Sequence, residues 1–336
     1  MRQAGRLRGF GRRHPLSPVV LGVLLYSTGP VFVAASAVSG AVFSFWRLWF
    51  GVAVLGIAAV IQGQVSGYPS ARALRFPVLA GVLFGAHQLM FFTALKMTSV
   101  VDVTLVNTTS PVITGLLAIP VFAERPRRGF WGWASIAMIG SAVVVVSGSA
   151  GPRGNPLGMM LALGNVVAFA GFFLTSKSSR DHLAVLPFLA GVMFIAALFV
   201  SGYVLLAGEP VSSAGGRDLL FAVIVAAGPG AIGHFVMTWP LRWLPANVPP
   251  VMRLAIPVLA STWAWWLLGQ PVSWWHLVGG AVTIAGVAGA ILSPAGRELI
   301  VSESSEPPTT VTPPAGGPPD QAPRRRAPEE RGGGSR

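Results

Sequence analysis

Two prolines in apolar stretches of the chain each follow a polar residue by four positions. Pro257 follows Arg253 in VPPVMRLAIPVL, and Pro111 follows Asn107 in VNTTSPVITGLLAIP. A proline has no backbone N–H, so a helix through these segments would leave the carbonyls of Arg253 and Asn107 unpaired. The two segments therefore offer recognition chemistry: a guanidinium fork that matches carboxylate or phosphate groups, an amide, and free backbone acceptors.

An arginine inside an apolar run is costly in a membrane, at about 2.5 to 3.5 kcal/mol at the bilayer centre on insertion scales. Contact with an anionic group of a solute would offset this cost, and so would snorkelling of Arg253 to the lipid headgroups. Both interpretations of Arg253 stay open on the sequence alone. Asn107 likewise has two possible roles, contact with a solute or hydrogen bonding between helices.

Four more polar residues lie within apolar runs and could complete a binding site: His87, Gln88, Asn165 and His234. Their imidazole and amide groups could contact a solute or carry protons, and each could equally be a hydrogen-bonded packing residue. Pro30 predicts a third helix break, in the first apolar run. These residues, with Arg253 and Asn107, are the candidate solute-binding set.

The residue types of this chain give little indication of a catalytic or metal-binding site. The chain has no cysteine, and it contains neither an HExxH metal-binding pattern nor a GxSxG nucleophile pattern. Asp102 has no second membrane aspartate with which to form a catalytic pair. We therefore expect no catalytic residue, no metal site and no cofactor.

The composition is that of a membrane protein. Of 336 residues, 53% are hydrophobic and 10% are charged, whereas ordinary soluble domains carry about 25% charged residues. A bilayer core needs roughly 20 apolar residues per helix and offers backbone groups no partner, so the repeated apolar runs predict an all-α integral membrane fold. The ten predicted transmembrane helices are 17–36, 41–62, 76–95, 99–121, 130–149, 157–176, 184–206, 218–239, 246–268 and 273–293.

The basic residues predict the orientation of these helices. Five arginines precede the first span, and further basic residues fall mainly in every second loop, which marks the cytoplasmic side. Both termini are therefore expected in the cytoplasm, with the chain in the cytoplasmic membrane of the cell. The net charge of +13 reflects this topology and the anionic lipid headgroups, and no nucleic-acid partner is expected.

An internal repeat with an offset of 146 residues relates the two halves of the chain. It aligns Pro111 with Pro257, Gln88 with His234, and spans 3–5 with spans 8–10. Five helices per half invert the second half relative to the first, as in many secondary transporters. The expected domains are a basic cytoplasmic N-terminus, a first repeat, a linker, a second repeat and a disordered cytoplasmic tail, at 1–16, 17–149, 150–156, 157–293 and 294–336.

Three stretches carry a resemblance to a known family. They are FSFWRLWFG on the second span, TALKMTSVVDVTLVNTTSPVITGLLAIPVFAERPRR on the third and fourth, and WPLRWLPANVPPVMRLAIPVLASTWAWWLLGQPVSWWHLVGGAVTIAGVAG on the last three. They resemble EamA domains of the drug/metabolite transporter superfamily. The resemblance implies ten helices, two inverted five-helix repeats, and export or exchange of small metabolites, amino acids or drugs. Arg47 matches an arginine of the family on the second span and is interpreted as a structural anchor.

The chain departs from the family pattern at acidic positions. Relatives commonly carry a glutamate after the fourth and the ninth helix; Glu124 keeps the first, and Gln270 replaces the second. Many also have an acidic residue at the position of Ile256. Carboxylate-based proton coupling is therefore not expected, which leaves His87 and His234 as the titratable candidates.

The sequence thus predicts a secondary membrane transporter, an exporter or exchanger of small organic metabolites that works by alternating access. Its partners would be a small-molecule solute and the lipid bilayer. Small residues along GGAVTIAGVAGA, and the pair Gly81 and Gly85, could support a homodimer or close packing within the monomer. The alternative function is a channel or a structural membrane protein without carrier activity.

Overall fold

Helices dominate the described part of the chain. The computed structural model describes residues 14–97, 103, 106–123, 126, 128–147, 155–268, 272–294 and 297, and these residues include no β-strand. The α-helices are α1 (Leu16–Ala34), α2 (Gly40–Ser66), α3 (Phe76–Met97), α4 (Ser110–Phe122), α5 (Arg128–Ser147), α6 (Pro156–Ser178), α7 (Val185–Ala207), α8 (Gly216–Val225), α9 (His234–Thr238), α10 (Val248–Met252), α11 (Ile256–Leu268) and α12 (Trp274–Leu292).

Two helical runs change their hydrogen-bonding pattern along their length. Between α8 and α9, Ala226–Gly233 form a π-helix that contains Pro229, and the 3-10 turn Trp239–Arg242 follows α9. Between α10 and α11, Arg253–Ala255 form a 3-10 turn. Proline and glycine interrupt the regular α-helical hydrogen bonds, and π or 3-10 segments inside helices often accompany functional sites.

Within the described residues, seven helical segments are long and apolar enough to cross a membrane, which confirms the all-α membrane fold in its coarse form. These segments are Gly40–Val65, Ala73–Ala94, Arg128–Ser147, Pro156–Asp181, Val185–Ala207, Gly216–Arg242 and Trp274–Leu292. They coincide with seven of the predicted spans. The predicted spans 99–121 and 246–268 hold shorter α-helices among the described residues, and span 17–36 contributes only the shorter apolar stretch Leu16–Gly29. The count of ten therefore stays a prediction.

Several predictions fall on residues that the structure does not describe. The predicted basic N-terminus is described only from residue 14, and most of the predicted linker 150–156 and tail 294–336 lies outside the described residues. The same holds for Asp102, Glu124 and Gln270. The predicted domain boundaries therefore stay predictions.

The largest apolar core lies where α2, α3, α6 and α7 meet. Its centre consists of fully buried phenylalanine rings, among them Phe84, Phe172, Phe173 and Phe188. Around this core, α1 packs against α11 and against the π-helix, and α4 packs against α6. Polar side chains on the inward faces of these helices are therefore brought together in the middle of the bundle.

Small residues allow close packing of helices within the monomer. A Cβ on Gly140 of α5 would lie 2.7 Å from a backbone oxygen of α12, and one on Gly286 would lie 2.7 Å from Cα of Ala137. Gly81 and Gly85 of α3 face α7 in the same way. The glycine face of α12 is thus used between α5 and α12, one of the two uses that the sequence allowed for it.

Candidate functional site

Polar side chains from both predicted repeats meet in the middle of the helix bundle. We call this group the central cluster; its members are Tyr26, Arg47, His87, Gln88, Asn107, Asn165, His234 and Arg253. Hydrogen bonds and ring contacts connect the members across α1, α2, α3, α6, α9 and the 3-10 turn before α11. The sequence singled out six of these residues as solute-binding candidates, and the structure brings all six together. Their role in solute binding stays a prediction.

Arg253 directs its guanidinium group into the bundle. Its Cζ atom lies 4.2 Å from the ring centroid of Phe169 and 5.7 Å from that of Tyr26. Both distances fall in the range of cation–π contacts, which are stronger where water is excluded. The Nε atom of Arg253 is buried and has no hydrogen-bond partner. A charged donor of this kind is available to a ligand.

The backbone at the proline positions differs from the expectation. Pro257 is the second residue of α11 and Pro111 the second residue of α4, so both lie in a first turn, where a helix needs no N–H. The carbonyl of Arg253 accepts a hydrogen bond from the N–H of Ile256. The prediction of an unpaired carbonyl at Arg253 is therefore wrong, because an i to i+3 bond replaces the missing i to i+4 bond. The third predicted helix break, at Pro30, lies within helix α1, which continues to Ala34.

Arg47 adds a second cation to the central cluster. Its Nη1 donates to Oε1 of Gln88 at 2.7 Å, and its Cζ lies 5.9 Å from the ring centroid of Phe84. All three side chains are buried. The hydrogen bond to Gln88 fits the anchoring role expected from the sequence, but the position of Arg47 places its charge among the candidate binding residues.

Tyr26 links α1 to the residues that follow the π-helix. Its hydroxyl oxygen and Nδ1 of His234 are 2.6 Å apart, within hydrogen-bonding distance. The ring of His234 also contacts Phe84 edge to face, with centroids 4.8 Å apart. Sequence reasoning missed Tyr26, because a tyrosine in a membrane helix is most often an interfacial residue. The available signal was its position beside the polar pair Ser27 and Thr28.

The remaining members of the central cluster surround Phe169 of α6. The ring of His87 stacks on Phe169 with centroids 4.3 Å apart. One turn earlier on α6, Asn165 donates through Nδ2 to Oδ1 of Asn107 at 2.8 Å. Nδ1 of His87 and Oδ1 of Asn165 are buried without a hydrogen bond of good geometry, although His87 and Asn165 interact with each other. Since buried polar atoms are normally fully paired, these two residues keep some hydrogen-bonding capacity for a ligand.

Carboxylates lie at helix ends in the part of the chain that the structure describes. Asp181 belongs to the turn after α6, Glu209 follows α7, and Asp218 lies in the first turn of α8. Among the described residues, the guanidinium groups of Arg47 and Arg253 therefore have no carboxylate partner. An uncompensated buried charge is expensive, so the centre of the bundle is suited to attract an anion.

A second polar group joins the α1–α2 loop to the region between α7 and α8. We call it the polar junction; it consists of Ser36, Ala37, Ser39, Glu209 and Asp218. Oδ1 of Asp218 accepts from Oγ of Ser36 at 3.0 Å and from the N–H of Ala37 at 2.9 Å. Oε2 of Glu209 accepts from Oγ of Ser39 at 2.7 Å. These bonds hold the two loops together at one end of the bundle.

Comparison with known proteins places these features in a family. The chain matches the EamA-like transporter family over residues 17–146 and 156–292. It is 25% identical over 299 residues to the uncharacterized transporter YwfM of Bacillus subtilis (strain 168). The alignment covers 88% of this chain and 98% of that protein. A solved crystal structure of a protein shares the fold with a TM-score of 0.70 at 21% identity, covering 84% of this chain and 97% of the other.

Proposed function

Because the chain belongs to the EamA-like transporter family, we propose that it is a secondary carrier that exports or exchanges small organic anions by alternating access. The observation that carries the proposal is the buried, unpartnered Nε atom of Arg253, inside the bundle. Buried donors are normally hydrogen-bonded, so we assign a carboxylate or phosphate oxygen of the solute as its partner. The planar guanidinium fork matches such groups in two-point contacts.

The other candidate residues have two kinds of role in this proposal. His87 and Asn165 carry buried atoms without a well-formed hydrogen bond and would contact the solute directly. Gln88 and His234 are already bonded to Arg47 and Tyr26, so they would orient those side chains. Asn107 would hold the amide of Asn165, to which it is bonded, in place.

Helix contacts support two inverted five-helix repeats. If the first repeat comprises α1–α5, the second comprises α6, α7, the run from α8 to α9, the run from α10 to α11, and α12. Helix α3 packs against α6 and α7, and the π-helix packs against α1 and α2; α4 packs against α6, and α11 against α1. Exchange of the two repeats pairs α1 with α6, α2 with α7, α3 with the run from α8 to α9, and α4 with the run from α10 to α11. Each contact given above then corresponds to another contact in the same set, as two-fold related halves require. Rocking of the repeats would expose the central cluster to each side in turn.

We propose that both termini face the cytoplasm and that the protein resides in the cell membrane. A reporter fused after residue 295 should then report the cytoplasm, and one inserted in the loop 207–217 should report the opposite side. An insertion in the loop 67–72 serves as the control and should match the C-terminal fusion. The reverse signals at the first two positions would contradict the ten-span arrangement.

Solute flux in liposomes containing the purified protein tests the carrier function. With a panel of radiolabelled organic acids and amino acids, we expect saturable uptake of an anionic solute. Arg253→Gln should lose this uptake, and Arg72→Gln, at an exposed arginine, should keep it. Flux that rises linearly with concentration would indicate a channel, and the absence of flux for every solute would favour a structural protein.

A homodimer stays a prediction of its own. The glycine face of α12 is occupied by α5 within the monomer, so a dimer would have to use another lipid-facing surface. Light scattering of the purified protein in detergent measures the mass of the assembly. A monomeric mass together with full transport activity would rule out a functional requirement for the dimer.

A further inference from the structure

The central cluster contains two guanidinium groups that face one shared region. Arg253 lies over the ring of Tyr26, and Arg47 is close enough to act electrostatically on the same tyrosine. Both arginines also lie near His234, because Tyr26 is hydrogen-bonded to His234 and the Phe84 ring beside Arg47 contacts it edge to face. The sequence assigned a solute-binding role to one of the two cations only, whereas the fold places them around the same side chains.

The charge of this pair is not balanced by any described residue. Arg47 donates to the neutral amide of Gln88, and Arg253 has an Nε atom without a partner. The carboxylates of the described part lie at helix ends. In a region of low dielectric constant, each cation is stabilised strongly by an opposite charge. A singly charged solute would neutralise one of the two and leave the other uncompensated.

A row of three phenylalanine rings runs from one guanidinium group to the other. The Cζ atom of Arg253 lies 4.2 Å from Phe169, and the Phe169 and Phe172 centroids are 5.6 Å apart. Phe172 and Phe84 are 5.0 Å apart, and Cζ of Arg47 lies 5.9 Å from Phe84. All three rings are buried in the apolar core, so the region between the two cations is mainly apolar and matches a hydrocarbon body better than a polar one.

We propose that the transported solute carries two anionic groups joined by a short apolar body, with one group bound to Arg253 and the other to Arg47. The body spans the apolar region between the two cations, which has to open during transport because the phenylalanine rings are buried. This inference rests on the carrier function proposed above and adds the charge and shape of the solute. Dicarboxylates are the simplest members of the class, and monoanions of the same length are poorer ligands because they leave one cation unpaired.

Calorimetric titration of the full-length protein in detergent tests the preference for two charges. The probes are the straight-chain dicarboxylates from malonate to suberate and, for each, the half-amide, which keeps the length and removes one charge. At the best length, the dicarboxylate should bind roughly 30-fold more tightly or better, the usual penalty for an unpaired buried charge. Equal binding of a dicarboxylate and its half-amide would overturn the proposal, and so would the absence of binding across the series.

Variants identify the residue that binds the second anionic group of the solute. Arg47→Gln should bind the dicarboxylate and the half-amide with equal affinity, whereas Arg72→Gln should keep the full preference. An undiminished preference in Arg47→Gln would show that Arg47 is only an anchor and that the proposal is wrong. If Arg47→Gln does not fold, Arg47→Lys replaces it, and it should keep the preference in reduced form because the charge remains.

The same experiments separate this inference from the carrier function. Saturable flux of solutes without a preference for two charges would leave the carrier function standing and overturn the inference. Preferential binding of dicarboxylates without any flux would support the inference about the site and contradict the carrier function. The wild-type titration series decides the question of charge without any variant.

Discussion

The central cluster and the polar junction are both polar regions of a mainly apolar helix bundle, but they differ in whether their charged groups have hydrogen-bond partners within the chain. In the polar junction, the carboxylates accept hydrogen bonds from the α1–α2 loop: Asp218 binds a hydroxyl and a backbone N–H, and Glu209 binds the hydroxyl of Ser39. In the central cluster, Arg253 has a buried Nε atom without a partner. One region satisfies its charged groups within the chain, and the other does not.

This difference separates groups that hold the fold from groups that are ready to bind. A buried polar group without a partner costs about 1–3 kcal/mol, and a charged one more, so a chain gains stability when such a group is removed or paired. Natural proteins keep such costs mainly at functional sites. Changes to the unpaired groups of the central cluster should therefore reduce transport, and changes to paired groups in either region should reduce stability.

The largest effect is expected from Arg253→Gln. Solute affinity measured by flux should fall by at least about 30-fold, because the buried anion of the bound solute loses its charged partner. The melting temperature of the empty protein should stay equal or rise, since an uncompensated charge is removed. Arg253→Lys should restore transport poorly, because an ammonium group lacks the guanidinium fork. Normal transport by the glutamine variant would contradict the assignment of Arg253 to the binding site.

Tyr26→Phe tests a member of the central cluster whose polar group is paired. The change removes the hydrogen bond to His234 and leaves its Nδ1 buried without a partner, so the free energy of unfolding should fall by about 1–3 kcal/mol. Thermal unfolding in detergent measures this loss. Tyr203→Phe, at an exposed tyrosine of α7, is the matched control and should have no effect. An unchanged melting temperature with lost transport would show that the Tyr26 hydroxyl serves the solute instead.

The smallest effect is expected from Asp218→Asn in the polar junction. The amide oxygen can still accept hydrogen bonds from the α1–α2 loop, but without the charge that strengthens them. The melting temperature should fall slightly, and the affinity for solute should not change. Asp181→Asn, at an exposed carboxylate in the turn after α6, is the control. A large loss of affinity in Asp218→Asn would remove the distinction between the two regions.

Much of the candidate site could be predicted because polar residues in apolar runs are conspicuous. Arg253, Asn107, His87 and Asn165 stand out against a chain that is 53% hydrophobic, and lipid makes each of them costly unless it has a partner. The partners themselves could not be read from the sequence. Tyr26 and its hydrogen-bond partner on α9 are 208 residues apart, and no periodic pattern relates them.

The amino-acid composition is enough to place this protein in a lipid bilayer, and the bilayer in turn requires helical secondary structure. Long apolar runs with few charges belong in lipid, where backbone groups must bond within their own segment, so helices follow without knowledge of the contacts. Tertiary structure decided which side chains meet and how the prolines are accommodated. Arg253 reaches the rings of Phe169 and Tyr26 because α1, α6 and the 3-10 turn before α11 converge, and that same turn pairs the carbonyl of Arg253. Hydropathy is a local property of each residue, whereas these contacts depend on which helix faces pack together.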